Sequence, residues 1–370
     1  MTQYKRDEKT LKKKKPIDCY SKYVSRIFYC HARDEQGLIN LLLDKCTDNQ
    51  HKVVIIPDSD FTAATIDKFQ ERLNNCFLFP HIHHTPGAIA KWMEKPRQKA
   101  LAEEMELNVS KGTILHITDG NYVIPEDITY PCFTKPLITN TGGKQLFQKC
   151  DNVGQLQLLL GYAAKSYQDI GILVEEFKSI DKEFAVVGFS DGSEVIIPGV
   201  IQIIAMAHGG HFGVTCQGKV MPTNGFEDII SKFKKMILTI GFVGLFDIDF
   251  YQSKGVLYFC ELNLRFGGSG YAITKMGVNL PGMMVKSFNG DNTEDMLKSI
   301  SSKATFVNER MCQDDWYERH ITFKEYRNTM SSSDISFIKD NSDSKPYIKF
   351  LFHHIPLLTK KIIKRFILNG

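Results

Sequence analysis

Residues 246–270 read FDIDFYQSKGVLYFCELNLRFGGSG. Two apolar stretches carry acids and flank Ser253, Lys254 and Gly255, the pattern of a β-hairpin. Glu261 and Asn263 are two apart on the second strand, so both project from one face. Asp247 and Asp249 lie on the first strand, and the turn decides whether they share that face. A three-residue loop with Gly255 left-handed sets Asp247 across from Glu261 and Asp249 across from Phe259, and the four oxygen-bearing side chains converge. A two-residue loop sends the aspartates to the opposite face. Carboxylates placed across a ladder repel each other unless a cation sits between them. Mg2+ takes oxygen ligands in near-octahedral geometry, a few carboxylates completed by phosphate oxygens and water. The other reading is an acidic edge of an exposed sheet, against which Phe246, Ile248, Phe250, Leu257 and Phe259 argue for burial. Arg265 follows two residues after Asn263. Its planar fork suits phosphate or carboxylate, and the glycines of 267–270 allow close backbone approach to an anion.

Upstream, residues 86–106 are strongly helical, with Pro96 breaking or restarting the helix. Lys135 sits in YPCFTKPL (130–137), and Lys144 closes the polar loop TNTGGK (139–144). That loop is no Walker A motif, because Ile138 stands where its first Gly belongs and Gln145 replaces Ser/Thr. Residues 172–184, ILVEEFKSIDKEF, form an apolar strand ending in Glu175 and Glu176, with Glu183 beyond. Such a strand end can bond a base through its backbone and ribose hydroxyls through a carboxylate; a surface acidic cluster is the alternative. The sequence shows no protein-kinase motif set and no Ser/His/Asp or Cys/His arrangement.

Composition narrows the class. Among 370 residues, 46 Lys and Arg against 42 Asp and Glu leave a net charge of +4. That is too small for a dedicated nucleic-acid binder, whose affinity rests on many cationic phosphate contacts. No apolar run of about 18 residues suggests a transmembrane helix. Residues 195–218 lack Asp, Glu, Lys and Arg but contain Pro198, Gln202 and two histidines, so a buried sheet region is the reading. None of the nine cysteines forms a CxxC pair. Reduced thiols in a cytoplasmic protein are expected.

Helices are expected at 36–46, 61–74, 152–164, 227–240 and 277–288, and strands at 53–56, 77–79, 112–117, 130–137, 172–177, 183–190 and 194–207. Residues 205–219 read as a candidate loop in which His208, His211 and Lys219 are candidate acceptor-pocket residues. The stretch 331–344 reads as a polar linker. Residues 347–370 are apolar and basic, with Lys360, Lys361, Lys364 and Arg365 on one helical face. That helix suits peripheral contact with an anionic membrane face; docking on its own domain or on a partner is the other reading.

The order of these segments resembles the ATP-grasp superfamily. The match runs from KWMEKPRQKALAEEMEL (91–107) through YPCFTKPL, GGK, ILVEEFKSIDKEF and FDIDF to ELNLRFGGSG, roughly residues 85–290. It is similar to the carbamoyl-phosphate-synthase-like branch of carboxylate–amine ligases, D-aspartate ligase among them. The resemblance implies a fold of two α+β subdomains gripping ATP, mixed α+β and α/β in class. A basic lead (1–16) precedes a shortened α/β preATP-grasp unit (17–90). The small subdomain (91–178) and the C-terminal subdomain with the metal site (179–310) follow, then an extension (311–370). Lys95 matches the first phosphate-binding lysine, with Lys99 as a substitute, and Lys135 the second. Thr141, Gly142, Gly143 and Lys144 match the loop over the γ-phosphate. Glu175, Glu176 and Phe177 match the adenine hinge, and Glu183 the ribose carboxylate. Asp249, Glu261 and Asn263 match the ligands of Mg2+ (or Mn2+), with Asp247 as the alternative to Asp249. Arg265 matches the arginine that steadies an acyl phosphate. The implied partners are a small-molecule carboxylate and an amine, and a homodimer fits the family. Asn263-Leu264-Arg265 replaces the usual Asn-Pro-Arg, which loses a proline and keeps both chemical side chains.

Overall fold

The computed structural model describes residues 15–31, 33–137, 144–208 and 213–353. The N-terminal unit alternates helix Glu35–Lys45, strand β1 (Val53–Val54), helix Asp60–Lys68 and strand β2 (Phe77–Leu78). The two strands pair in parallel, as short apolar strands joined through a helix do. Leu38, Ile39, Ile66, Leu73 and Phe77 form its core. Ser59 starts the second helix through a capping box with Thr62, which fixes the turn after Pro57. Strand β3 (His81–Ile82) leaves this unit and pairs with Phe242 and Val243.

A small sheet follows: β4 (Gly112–Thr118), β5 (Cys132–Pro136), β6 (Gln148–Cys150) and β7 (Asp169–Glu176), in the order β4-β7-β5-β6. Ile170, Ile172 and Val174 alternate onto one face and pack beneath Leu156, Leu159, Leu160 and Ala163 of helix Val153–Ser166. The period of two leaves Leu173, Glu175 and Lys135 on the other face.

The large sheet contains β8 (Lys182–Ser190), β9 (Val195–Ile196), β10 (Val200–Met206), β11 (Thr215–Met221), β12 (Phe242–Ser253), β13 (Val256–Asn263), β14 (Ala304–Val307) and β15 (Ile335–Ser336). Its order is β13-β12-β8-β10-β11-β14-β15. Phe184, Val186, Phe246, Ile248 and Phe250 face helix Glu227–Ile240, which buries Ile229, Ile230, Phe233, Met236, Ile237 and Ile240 against them. The helix stops at Gly241, whose φ of 67° and tight contact with the His83 ring exclude a side chain. The other face carries Ala185, Val187 and Leu245 beneath helix Leu280–Phe288. Asp247 and Asp249 continue that second face beyond the helix.

Three expectations are corrected. The strand expected over 194–207 is broken at Pro198 into β9 and β10, because proline supplies no ladder N–H. The expected loop 205–219 begins inside β10, which runs to Met206, and becomes strand β11 from Thr215 onward. The polar stretch 331–344 is no linker. Helix Phe323–Ser332 runs into it, and β15 adds to the sheet edge beside β14. Glu309, buried at 0% exposure, accepts backbone N–H groups from Phe337, Ile338 and Lys339 at 2.8–3.1 Å. A remote carboxylate thus satisfies a backbone that its own side chains do not. The tail is described only to helix Ser344–His353, and the basic face at 360–365 lies outside the described residues. The described part rests on the chain's own start: Lys22 N donates to Asp343, and Lys349 lies over the Tyr20 ring. No helix among the described residues is long and apolar enough to cross a membrane.

Candidate active site

Ser253 pairs with Val256, so Lys254 and Gly255 form a two-residue turn. Both have positive φ (50° and 81°), as a type I′ turn requires. In a regular ladder this turn separates the aspartates from Glu261 and Asn263. Here the register shifts once. Phe250 pairs with Phe259, yet Asp249 pairs with Glu261 and Asp247 with Asn263. Cys260 is the extra residue of a β-bulge, and it reverses the phase of β13. Phe259 therefore enters the core while Glu261 joins the aspartates. The three-residue loop, with Asp247 across from Glu261, is thus corrected, and the bulge puts all four side chains on one face.

Asn263 Nδ2 donates to Asp249 Oδ2 at 3.3 Å. Burial, reinforced by Asp247 and Glu261, holds the Asp249 carboxyl well above the usual carboxylate range. Burial also pushes Asp247 up, against the opposing pull of Arg265. Asp247 Oδ1 is buried and has no hydrogen-bond partner. The site concentrates negative charge and acceptor atoms without enough donors, the condition a divalent cation relieves. Among the described residues no three His, Cys, Asp or Glu side chains form a metal cage by themselves. Two carboxylates and an amide fit Mg2+, which usually keeps waters and phosphate oxygens in its shell.

Helix Lys95–Glu104 lies between the two sheets, with Pro96 in its first turn where a missing N–H costs nothing. Lys95 and Lys99 are four apart and share a face. Lys95 Nζ is 2.5 Å from Glu261 Oε1 on the large sheet, and Lys99 Nζ is 2.8 Å from Glu175 Oε1 on the small one. Gln98 locks the helix to the edge strand β13: its Nε2 donates to Leu262 O at 2.6 Å, and Leu262 N donates to its Oε1 at 2.9 Å.

On the small sheet Lys135 Nζ lies 2.5 Å from Glu175 Oε2. Burial alone would lower the Lys135 pKa, but the surrounding negative groups, Glu175 and Glu261 among them, outweigh it and the net shift is upward. Burial likewise opposes ionisation of Glu175, and Lys135 and Lys99 override it to hold the carboxyl below its ordinary range. Gly112 makes room for this cluster: a Cβ there would lie 2.6 Å from Val174 O and 2.8 Å from Glu175 Cγ.

The other expected residues divide. Glu176 points to Lys178 Nζ (2.8 Å) and Lys111 N (3.1 Å). The N–H groups of Glu176 and Phe177 bond to Lys111 O and Pro131 O, so a base at this strand end would find its donor beyond Phe177. The Phe177 ring is exposed, with the Lys149 ammonium 4.9 Å from its centroid. Glu183 pairs with Tyr251 on the face that holds Asp249, and burial raises its pKa. Thr141, Gly142 and Gly143 lie outside the described residues; Lys144 opens the short turn Lys144–Leu146, and its side chain is likewise outside them. His208 is bound to the C-terminal extension, with Nδ1 3.0 Å from Asp315 Oδ2; His211 is not among the described residues.

Arg265 follows β13, and its Nε donates to Asp60 Oδ1 at 2.8 Å. Spacing gave no sign of Asp60 or Gln98, although PDSD (57–60) at the head of a helix is a loop with chemistry to offer.

The architecture has known counterparts. N5-carboxyaminoimidazole synthetase from Staphylococcus aureus, solved with ADP, aligns at a TM-score of 0.59 and 18% identity over 83% of this chain and 77% of that one. The biotin carboxylase domain dimer of 2-oxoglutarate carboxylase from Hydrogenobacter thermophilus, solved with MgADP, ADP and bicarbonate, gives 0.58 at 16% identity over 78% and 66%. The chain has the ATP-grasp fold. L-amino acid ligase from Bacillus licheniformis, at 0.53 and 17% identity over 76% and 70%, shares it. Among curated sequences, the carbamoyl phosphate synthase large chain of Clostridium botulinum is 25% identical over 247 residues, 65% of this chain. The ATP-grasp chain spans only 22% of that relative's length. No protein-family model matches it.

Proposed function

We propose that this chain is an ATP- and Mg2+-dependent ligase that activates a carboxylate as an acyl phosphate and joins it to an amine, releasing ADP and phosphate. One observation carries the reading. The oxygen donors of Asp249, Glu261 and Asn263 on one sheet and the Lys135–Glu175 pair on the other are bridged by Lys95 and Lys99 of a single helix. Similarity to synthases, synthetases and ligases supports it.

In this reading Lys95 and Lys135, with Lys99 beside them, hold the phosphates. The strand end from Glu175 to Phe177 seats the adenine, and Glu183 takes the ribose hydroxyls. Asp249, Glu261 and Asn263 would hold Mg2+ or Mn2+, which when bound offsets charge on the transferring phosphoryl group. Arg265 faces the acyl phosphate and then the tetrahedral adduct formed by the amine. The protein's work is positioning and electrostatic complementarity, with no covalent nucleophile of its own. A homodimer is proposed by analogy with the biotin carboxylase domain dimer.

Isothermal titration with Mg·ATP, comparing the native chain with Glu261→Ala, tests the site. Equal affinities contradict it. A screen of acid and amine pairs for ADP release tests the chemistry. Release that needs both partners supports a ligase; release that needs one alone points to a phosphoryl transferase.

A further inference from the structure

We infer that Asp60 is a positioning residue for Arg265, so that the N-terminal α/β unit completes the reaction centre; this rests on the ligase reading above. Two adjacent contacts join that unit to the end of β13. Asp60 Oδ1 accepts from Arg265 Nε at 2.8 Å, and Pro57 O accepts from Phe266 N at 3.2 Å. Both come from the four residues that the Ser59 capping box holds at the head of helix Asp60–Lys68. The carboxylate also stands in the first turn, where the helix dipole favours negative charge.

The geometry gives Asp60 a task beyond adhesion. Arg265 is mostly buried, and Asp247 and Asp249 attract it from the large sheet. Of the three carboxylates, Asp60 is the one that hydrogen-bonds it. Its bond to Nε fixes the plane of the guanidinium, while Nη1 is spent on Phe266 O at 3.4 Å. The Nη2 edge is the part of the fork those two contacts do not use. Without Asp60 the guanidinium would fall toward Asp247 and Asp249 and compete with a divalent cation for them. Held back, it would leave those carboxylates to a cation and keep its own charge for the transferring phosphoryl group. Backbone packing tightens the arrangement, since a Cβ at Gly267 would lie 2.0 Å from Asp247 Oδ2.

The test needs no knowledge of the acid or the amine. Mg·ADP binding is measured with and without aluminium fluoride, a mimic of the transferring phosphoryl group, for the native chain, Asp60→Asn, Asp60→Glu and Arg265→Lys. The native chain should bind the fluoroaluminate complex about 100-fold or more tighter than Mg·ADP alone. Asp60→Asn should keep its Mg·ADP affinity, which also shows it folded, and lose most of the tightening. Asp60→Glu should restore part of it. Full tightening in Asp60→Asn, or in Arg265→Lys, overturns the inference and leaves the nucleotide site standing. Absence of any Mg·ADP binding by the native chain overturns the ligase reading itself.

Discussion

Asp249 stands directly across the β12–β13 ladder from Glu261, and Glu261 is bonded to Lys95. A cation arriving between the two carboxylates therefore competes with an ammonium group already present. Lys95→Met should bind Mn2+ about fivefold more tightly without nucleotide, the upper range for a partly exposed ion pair. The same variant should bind Mg·ATP more weakly, because the freed lysine is proposed to hold phosphate. Manganese titration followed by electron paramagnetic resonance reads the first effect and calorimetry the second. Affinities that move together in the same direction contradict the exchange of partners.

Asp249→Asn should stabilise the metal-free protein while removing its response to Mg2+. Burial and two neighbouring carboxylates disfavour the Asp249 charge, so a neutral isostere relieves repulsion. Thermal melts at neutral pH should rise by a few degrees for the variant without metal. Addition of Mg·ATP should raise the melt of the native chain and leave the variant nearly unmoved. A variant less stable than the native chain without metal would show that the carboxylate is satisfied by protein alone.

The Glu175 cluster predicts a pH dependence with a definite sign. Its folded pKa lies below the ordinary value because Lys135 and Lys99 outweigh burial. A depressed carboxyl contributes stability that is complete above the unfolded pKa and is lost as pH falls through the folded one. Glu175→Gln should cost about 3 kcal/mol at neutral pH, since it leaves Lys135 buried with less compensation. The gap between native and variant should narrow below about pH 4.3. Denaturant unfolding at several pH values measures it. The difference between the two proteins isolates Glu175 from Asp247 and Asp249, whose raised pKa values act in the opposite direction.

Gly112→Ala should damage the site without touching a charged group. The added methyl would meet Val174 O at 2.6 Å and Glu175 Cγ at 2.8 Å, so β4 and β7 must part or Glu175 must turn. A loss of about 1–3 kcal/mol is expected from such overpacking. Mg·ATP affinity should fall as well, because Glu175 positions both lysines. Retention of full affinity and stability would mean the sheet yields freely at this point.

Part of the candidate site was legible in the sequence because it sits on a local pattern. Glu261, Asn263 and Arg265 fall two apart on one stretch, whereas Lys95 and Lys99 are marked only by resemblance to the family. What spacing could not give was phase. The two-residue turn at Lys254 and Gly255 and the bulge at Cys260 offset each other, and neither shows in an alternating pattern. Asp60 and Gln98 were missed for a different reason: they reach partners 205 and 164 residues away. The stretch 331–344 looked like a linker because Glu309, which bonds its backbone, lies more than twenty residues upstream.

The helix that carries Lys95 and Lys99 ties the two sheets together. Gln98 pins it to the edge of β13 through both bonds to the Leu262 backbone. A shift of this helix that lengthened the Lys95–Glu261 contact would also alter the Lys99–Glu175 contact. On the proposed reading, ion occupancy on one side of the cleft and phosphate grip on the other would be coupled through that one element.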